Sequence, residues 1–278
     1  MVISFLYTFF FRRHFMAETR ALILIPARYA STRFPGKPLA MIAGQSMIER
    51  VYKSCSSLSS LLKEQKSIKN LAIDVAVVTD DDRIEDHVNG FGGKVIRVDD
   101  DVPSGTERIF LAYQREYAAQ TSGAEYEFII NVQGDEPLLQ REDLLDLLDF
   151  HLRHPQFHIT TLLRKMDDFT GFKDPNRVKA VYNAQDGQCL YFSRSPVPYA
   201  REEKDLKNWH LHIGVYCYKA QSLEDFCSLD EGELEKIERL EQLRALGAGM
   251  RIGATIINHE LIGVDTPEDI ERVEGVLK

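Results

Sequence analysis

Short apolar runs alternate with helix-like segments along the chain from Ala21 onward. The first four runs cover residues 21–25, 73–78, 94–97 and 128–132. Their nearly continuous Ile, Leu and Val content is typical of strands that are buried on both faces of a parallel sheet. Between them, Ser46 with Glu49 and Ser104 with Glu107 have the spacing of a helix capping box. This order predicts a Rossmann-like α/β fold of three layers with a mostly parallel sheet.

The second half of the chain has a less regular pattern. Strand-like runs cover residues 159–163, 178–182, 189–192, 212–218 and 253–257. Gly187 marks a hairpin turn, and apolar residues at helical spacing from Leu234 to Leu246 predict one helix that ends at Gly247. Because no repeat or low-complexity linker interrupts the pattern, we expect one continuous unit over residues 21–278 that carries a smaller inserted lobe.

Residues 1–20 are set apart from this pattern as an N-terminal extension. The apolar run 2–11 is too short to span the hydrocarbon core of a bilayer as a helix. It also lacks the basic start and the small-residue cleavage site of a signal peptide. We therefore expect a disordered tail, or a true start at Met16, rather than a membrane contact through residues 2–15.

The composition is that of an ordinary globular protein, and its charge narrows the function. The 278 residues include 43 Asp and Glu but 34 Lys and Arg, which gives a formal net charge of -9. A chain this acidic is not expected to coat nucleic acid, so any phosphate must be bound locally. The four cysteines are scattered without CxxC spacing, which favours reduced thiols and a cytoplasmic location.

A loop rich in cations follows the first predicted strand. Arg28, Arg33 and Lys37 lie within ten residues, and cations this close repel one another unless an anion neutralises them. Small residues such as Ala30 and Gly36 let backbone amides approach phosphate oxygens. Since ligands of an open parallel sheet bind beyond the carboxyl ends of its strands, a triphosphate is the expected guest. The loop has neither the Walker spacing nor the GxGxxG spacing.

Two separate acidic segments complement this loop. Asp135 comes shortly after the apolar run that ends at Val132, and Asp265 lies just before the last predicted helix. A carboxylate that faces a phosphate-binding loop needs a hard cation such as Mg²⁺ between the two. We predict that both acids reach one site, although Asp265 taken alone fits a helix-capping residue better.

Several weaker signals accompany these segments. Ser104 and Gly105 start a predicted helix and can offer backbone amides to an anion or to a base edge. His212 lies in an apolar strand, where a histidine is more often a core residue. Glu241 is equally consistent with an ordinary residue at the boundary of an amphipathic helix.

Eight segments together carry a family resemblance. They read ARYASTRFPGKPL, VVTDDDR, SGTER, INVQGDEPL, YFSRSPVPY, HIGVY, LEQLRALG and GVDTPEDIERV, in this order. From about residue 21 to its end, the chain resembles the 3-deoxy-manno-octulosonate (Kdo) cytidylyltransferases of the nucleotidyltransferase superfamily. The resemblance implies a nucleotidyltransferase fold, an inserted lobe used in homodimer formation, and Mg²⁺-dependent transfer of CMP from CTP to Kdo for lipopolysaccharide synthesis.

The resemblance also implies roles for individual residues. It places Arg28 and Lys37 on the CTP phosphates and Asp135 and Asp265 on Mg²⁺, and these four form the catalytic set. Arg108 falls in a matching motif and joins Ser104 and Gly105, which the helix start indicated, as a further predicted nucleotide contact. The implied sugar contacts are Gln133, Arg194, His212, Tyr216 and Glu241.

Three other functions stay open at this point. A relative that activates another acidic sugar, such as sialic acid or an amino-Kdo, would share the fold, the metal and CTP. A uridylyl- or thymidylyltransferase would differ in the base that it selects. A catalytically silent protein that binds sugar nucleotides is disfavoured, because both acids and the cations are retained.

Overall fold

The computed structural model describes residues 19–30, 33–65, 68, 71–118, 126–202 and 206–278. The first strand begins at Thr19, so the last two residues of the predicted extension belong to the fold. The rest of the extension, with its predicted tail or membrane contact, lies outside the described residues. Within the described ranges, no helix is both long enough and apolar enough to cross a bilayer.

A nine-stranded sheet and a small two-stranded hairpin make up the β-structure of the described residues. The strands are β1 (Thr19–Ala27), β2 (Met41–Ile42), β3 (Gln45–Ser46), β4 (Leu71–Thr79), β5 (Val95–Arg97), β6 (Phe128–Asn131), β7 (Ile159–Met166), β8 (Lys179–Asn183), β9 (Gln188–Ser193), β10 (Trp209–Lys219) and β11 (Ile252–Ile257). The helices are α1 (Met47–Gln65), α2 (Asp82–Gly90), α3 (Gly105–Tyr113), α4 (Arg141–Arg153), α5 (Phe169–Lys173), α6 (Ala220–Cys227), α7 (Glu233–Glu238), α8 (Gln242–Gly247) and α9 (Pro267–Leu277). The large sheet has the order β5-β4-β1-β6-β10-β7-β11-β9-β8, so each predicted apolar run is one of its strands.

The large sheet is mixed rather than mostly parallel. β1 pairs in parallel with β4 and β6, β4 with β5, and β7 with β11. β10 enters the centre of the sheet antiparallel to both β6 and β7, and the β8–β9 hairpin is antiparallel as well. The prediction of a mostly parallel sheet was therefore wrong for the second half, because apolar content reports burial and not strand direction.

Helices cover both faces of the sheet, which agrees with the predicted three layers. Ala21, Ile23 and Ile25 of β1 pack into one core with residues of α1, α2, α4 and α9. Leu22 and Leu24 pack into the core on the opposite face with residues of α3, α6 and α8. This alternation is the period of a strand that is buried on both sides.

Two local predictions for turns and caps agree with the structure in different degrees. Gly187 has a φ of +77° in the turn between β8 and β9, as a hairpin glycine should. Ser104 caps α3, because its Oγ accepts a hydrogen bond from the Glu107 amide at 3.2 Å. The carboxylate of Glu107 instead pairs with Arg244 at 3.5 Å, so the second half of the predicted capping box is replaced by a tertiary contact.

The single helix predicted for residues 234–246 is two short helices, α7 and α8. Arg239 between them has a φ of 54°, in the left-handed region, and ends α7. Leu234 and Ile237 remain 47% and 70% exposed. Glu235 is buried and pairs with an arginine of α8 at 2.6 Å. The prediction was wrong because a carboxylate of α7 has a fixed partner inside the fold, so a polar side chain and not the apolar ones turns inward.

Candidate active site

The basic loop after β1 is folded closely around one tyrosine ring. The carbonyl oxygen of Tyr29 accepts a hydrogen bond from the Gly36 amide at 2.9 Å. Gly36 has a φ of +72°, and a Cβ added there would lie 3.0 Å from Cζ of Tyr29, so a side chain does not fit without strain. The guanidinium carbon of Arg83 lies 3.2 Å from the centroid of the same ring. These contacts fix the loop immediately before Lys37.

Lys37 stands between the two predicted acids. Its Nζ lies 2.6 Å from Oδ2 of Asp135 and 3.5 Å from Oδ1 of Asp265. It also donates a hydrogen bond to the carbonyl oxygen of Val264 at 2.8 Å. Arg33 completes the group with two hydrogen bonds of 3.1 Å to the carboxylate of Asp265. The fold thus brings both acids to the basic loop, as their residue types and positions predicted.

The backbone explains why these distant residues meet. Asp135 follows β6, which runs parallel to β1, so this acid and the basic loop lie at one edge of the sheet. The Val264 amide donates to the carbonyl oxygen of Asp135 at 3.0 Å and anchors the segment before α9 there. Asp265 does not cap α9, because Thr266 is the N-cap and Asp269 completes the capping box. The carboxylate of Asp265 therefore faces the basic loop.

The two carboxylates suit a magnesium site that the substrate would complete. Within the described ranges, no group of three or more His, Cys, Asp and Glu side chains is placed to enclose a metal ion. Magnesium in nucleotide sites is usually held by one or two carboxylates together with water and phosphate oxygens. Asp135, Asp265 and a triphosphate would supply such a donor set, and the ammonium of Lys37 already places a cation between the two acids.

Glu136 is a buried acid beside this pair. Burial, and after it the negative charge of Asp135, raise the pKa of its carboxyl to about 8. Its Oε2 is buried and has no hydrogen-bond partner among the described residues. Near neutral pH this carboxyl therefore keeps its proton for most of the time, and adds little charge to the site.

Arg28 connects the basic loop to the start of α3. Its Nη2 donates to the carbonyl oxygens of Val102 at 2.6 Å and Ser104 at 3.3 Å. Burial lowers the pKa of this guanidinium. A Cβ added to Gly105 would lie 3.3 Å from the ring of Pro26, so the start of α3 packs directly against β1. Three predicted nucleotide contacts, Arg28, Ser104 and Gly105, thus lie at this one edge of the sheet.

Arg108 lies inside the fold, which does not support its predicted direct contact with nucleotide. The residue is 2% exposed. Its Nη1 donates to the carbonyl oxygen of Val98 at 2.7 Å and its Nη2 to Asp80 at 2.8 Å. This network ties the segment after β4 to α3. The SGTER motif identifies the residue, but the side of α3 on which it lies depends on the helix packing.

His212, Tyr216 and Glu241 lie together on the other side of the start of α3. The ring centroids of His212 and Tyr216 are 5.4 Å apart, and Nε2 of His212 lies 3.2 Å from Oγ1 of Thr161. Burial raises the pKa of Glu241, and the neighbouring Thr106 and Ser104 oppose that shift. Burial also lowers the pKa of His212 to about 3 and raises that of Tyr216. Near neutral pH the histidine and the tyrosine are therefore uncharged hydrogen-bonding groups.

The two remaining predicted sugar contacts have different positions. Gln133 lies between the start of α3 and β10. Its Oε1 would lie 3.9 Å from a Cβ added to Gly105, and its Cγ would lie 3.6 Å from a Cβ added to Gly214 of β10. Arg194 instead points to backbone, because its Nε donates to the carbonyl oxygen of Glu238 at 2.6 Å. Its guanidinium is thus occupied by the fold rather than brought to the neighbouring sugar contacts.

Sequence reasoning missed three residues whose contacts fix segments in or near the site. Tyr29 and Arg83 support the basic loop, and Glu238 holds the end of α7. An aromatic residue inside a loop of small residues was the available signal for Tyr29. Arg83 ends the VVTDDDR segment, but nothing in that segment indicated a contact with Tyr29. Glu238 had no signal in the sequence, because it acts on a segment that is distant along the chain.

Two solved structures share the fold of this chain. A CMP:2-keto-3-deoxy-manno-octonic acid synthetase, solved in complex with CTP, is 35% identical, with 93% of this chain and 98% of that chain covered and a TM-score of 0.80. A cytidylyltransferase from Leptospira borgpetersenii, at 18% identity and a TM-score of 0.56 over 92% of this chain and 85% of its own, shares the fold. The class is therefore that of a nucleotidyltransferase-type α/β protein.

The chain belongs to the cytidylyltransferase family, whose model matches residues 22–252. A 3-deoxy-manno-octulosonate cytidylyltransferase from Cytophaga hutchinsonii is 42% identical over 256 residues, which are 90% of this chain and 94% of that protein. An 8-amino-3,8-dideoxy-manno-octulosonate cytidylyltransferase from Shewanella halifaxensis is 41% identical over 256 residues, 92% of this chain and 97% of that protein. The family predicted from the motifs is confirmed.

Proposed function

We propose that the protein transfers CMP from CTP to the anomeric hydroxyl of Kdo and releases pyrophosphate. The observation that supports this proposal most directly is the position of Lys37. Its Nζ lies 2.6 Å from Oδ2 of Asp135 and 3.5 Å from Oδ1 of Asp265. A cation for phosphates beside two carboxylates for a divalent ion suits a nucleoside triphosphate. The names of the relatives support the choice of nucleotide and sugar.

The site residues act chiefly through charge and position. In the proposed reaction the sugar oxygen forms a bond to the α-phosphorus of CTP, the bond to pyrophosphate breaks, and negative charge builds on the departing oxygens. Arg28 and Lys37 lie at the same edge of the sheet and would offset this charge. Asp135 and Asp265 would hold Mg²⁺, which when bound supplies further positive charge and lowers the pKa of the attacking hydroxyl.

The sugar would bind on the far side of the start of α3, beside His212, Tyr216 and Glu241. Kdo carries hydroxyl groups as well as a carboxylate, and hydroxyl groups pair well with neutral donors and acceptors. His212 and Tyr216 are such groups, since their pKa values are displaced away from the neutral range by burial. Gln133 lies between β10, which carries these two residues, and Gly105 at the start of α3. We therefore assign these three residues and Glu241 to the sugar.

An 8-amino sugar is the second candidate substrate. Relatives named for 8-amino-3,8-dideoxy-manno-octulosonate are 41% and 40% identical to this chain, close to the 42% of a relative named for Kdo itself. The two sugars differ by one group at carbon 8, whereas the chemistry at the anomeric carbon is the same. A direct comparison of turnover with the two sugars decides between them.

Pyrophosphate release tests the proposal. Purified protein with CTP, Kdo and Mg²⁺ should release pyrophosphate, and EDTA should abolish that release. UTP and dTTP should not replace CTP, and sialic acid should not replace Kdo. If neither Kdo nor the 8-amino sugar supports Mg²⁺-dependent release of pyrophosphate, the proposed function is wrong.

Homodimer formation stays a prediction of the resemblance, and a cytoplasmic location stays a prediction of the cysteine pattern. Light scattering of the purified full chain tests the first, with the expected result of twice the mass of a single chain. Fractionation of cells that express the full chain tests the second, and it also tests the disfavoured membrane contact through residues 2–15.

A further inference from the structure

Glu238 lies outside the predicted site and connects the end of α7 to the end of β9 by hydrogen bonds. Its Oε1 accepts a hydrogen bond from the Ser193 hydroxyl at 2.6 Å, and its Oε2 accepts one from the Arg194 amide at 2.9 Å. Its carbonyl oxygen accepts a further bond from Nε of Arg194 at 2.6 Å. The last residue of α7 is thus fastened to the end of β9.

A buried lysine makes the β9 side of this junction rigid. Lys179 of β8 is 0% exposed. Its Nζ donates to the carbonyl oxygens of Asp174, Arg177 and Arg194 at 2.9, 2.7 and 2.5 Å. An ammonium group has three donors, and these contacts use all of them. Glu238 is therefore attached to a backbone segment that is itself held from inside the fold.

The other side of the junction leads to Glu241. Arg239 follows Glu238 with a φ of 54°, a conformation that is uncommon for a residue with a side chain. The carbonyl oxygen of Arg239 accepts from Nη2 of Arg194 at 3.4 Å. Two residues later, Glu241 lies beside Ser104 at the start of α3. Arg239, Glu241 and Ser104 line a cavity of about 430 Å³.

We propose that Glu238 is a positioning residue for Glu241: it fixes the turn over residues 239–241 and so holds Glu241 in place for the sugar. This inference rests on the proposed function, in which Glu241 contacts the sugar. The role is geometric, because both carboxylate oxygens of Glu238 accept hydrogen bonds from the end of β9. A glutamine can reproduce that arrangement, with its oxygen accepting from the Arg194 amide and its NH₂ group donating to Oγ of Ser193.

Steady-state kinetics with three variants tests this role. For Glu238→Ala we expect the KM for Kdo to rise at least tenfold, with the KM for CTP changed less than threefold, because the basic loop does not depend on the turn. Glu238→Gln should stay within threefold of the wild type for both substrates. Glu233→Ala, at an exposed acid of the same helix, is the matched control and should behave as the wild type.

Thermal unfolding and hydrogen exchange separate this role from a general loss of structure. The amides of Leu243 and Arg244 donate to the carbonyl oxygens of Leu240 and Glu241 at 3.1 and 3.0 Å, so they report on the turn. In Glu238→Ala they should exchange at least tenfold faster, whereas amides of β1 should be unchanged.

Two results would overturn the inference. One is a Glu238→Ala enzyme whose KM for Kdo and KM for CTP change by the same factor. The other is a Glu238→Gln enzyme as defective as Glu238→Ala, which would mean that charge and not geometry matters. If the wild type shows no turnover with CTP and Kdo, the proposed function fails. The positioning role can still be tested by hydrogen exchange: unchanged exchange of the Leu243 and Arg244 amides in Glu238→Ala would refute it.

Discussion

The substitution Gly36→Ala tests whether the basic loop needs a residue without a side chain at this position. Gly36 has a φ of +72°, and its missing Cβ would lie 3.0, 3.1 and 3.1 Å from Cζ, Cε2 and Oη of Tyr29. An alanine in this conformation costs roughly 1–2 kcal/mol for the left-handed backbone. The tyrosine ring must also move by a few tenths of an ångström, and the guanidinium of Arg83 over that ring resists the movement.

The expected functional effect follows from the position of Lys37, the next residue. Its Nζ meets Asp135 and Val264 at 2.6 and 2.8 Å, so a shift of the loop disturbs a group that must meet the triphosphate. Misplacement by about 1 Å can reduce turnover about 100-fold. For the smaller shift here we expect kcat/KM for CTP to fall about tenfold, with a Tm lower by a few degrees.

Gly44→Ala is the matched control for this experiment. Gly44 has a φ of +80° in the turn between β2 and β3, and among the described residues, its two chain neighbours apart, no atom lies within 4 Å of an added Cβ. It should therefore show the same loss of unfolding free energy, roughly 1–2 kcal/mol, without the loss of kcat/KM. Thermal unfolding and pyrophosphate release are measured for both variants. Equal kcat/KM values for the two would refute the argument that the loop positions Lys37.

Two further predictions concern the acids of the site. The Asp135→Ala and Asp265→Ala variants should fold normally, as judged by circular dichroism. Their Mg²⁺-dependent release of pyrophosphate should fall by several orders of magnitude, because each variant loses a carboxylate for the divalent ion. Undiminished release would contradict the assignment. Glu136 has a pKa raised from its ordinary value of 4.5 to about 8, first by burial and then by Asp135. The folded protein therefore holds this proton between those pH values while the unfolded chain does not, so the free energy of unfolding should fall as pH rises through that window. Urea unfolding from pH 5 to 8 without divalent metal should show a weaker fall in Glu136→Gln, and an identical pH dependence would disprove the reasoning.

Local sequence patterns determined much of the fold and the chemistry of the site. The apolar runs located the nine strands of the large sheet, because burial on both faces requires nearly continuous apolar residues. The Gly187 turn and the Ser104 cap were predictable because each depends on a residue and its immediate neighbours. The cations of the basic loop and the acids Asp135 and Asp265 were recognisable by residue type and spacing.

The tertiary structure decided how these parts are arranged. It inserted β10 antiparallel between β6 and β7, it broke the predicted helix at Arg239, and it buried Arg108 against Asp80. It also placed Lys37 between Asp135 and Asp265, which lie 98 and 228 positions further along the chain. Strand direction and the neighbours of a charge depend on contacts between distant segments. A local pattern records which residues are buried and with what period, and does not record those contacts.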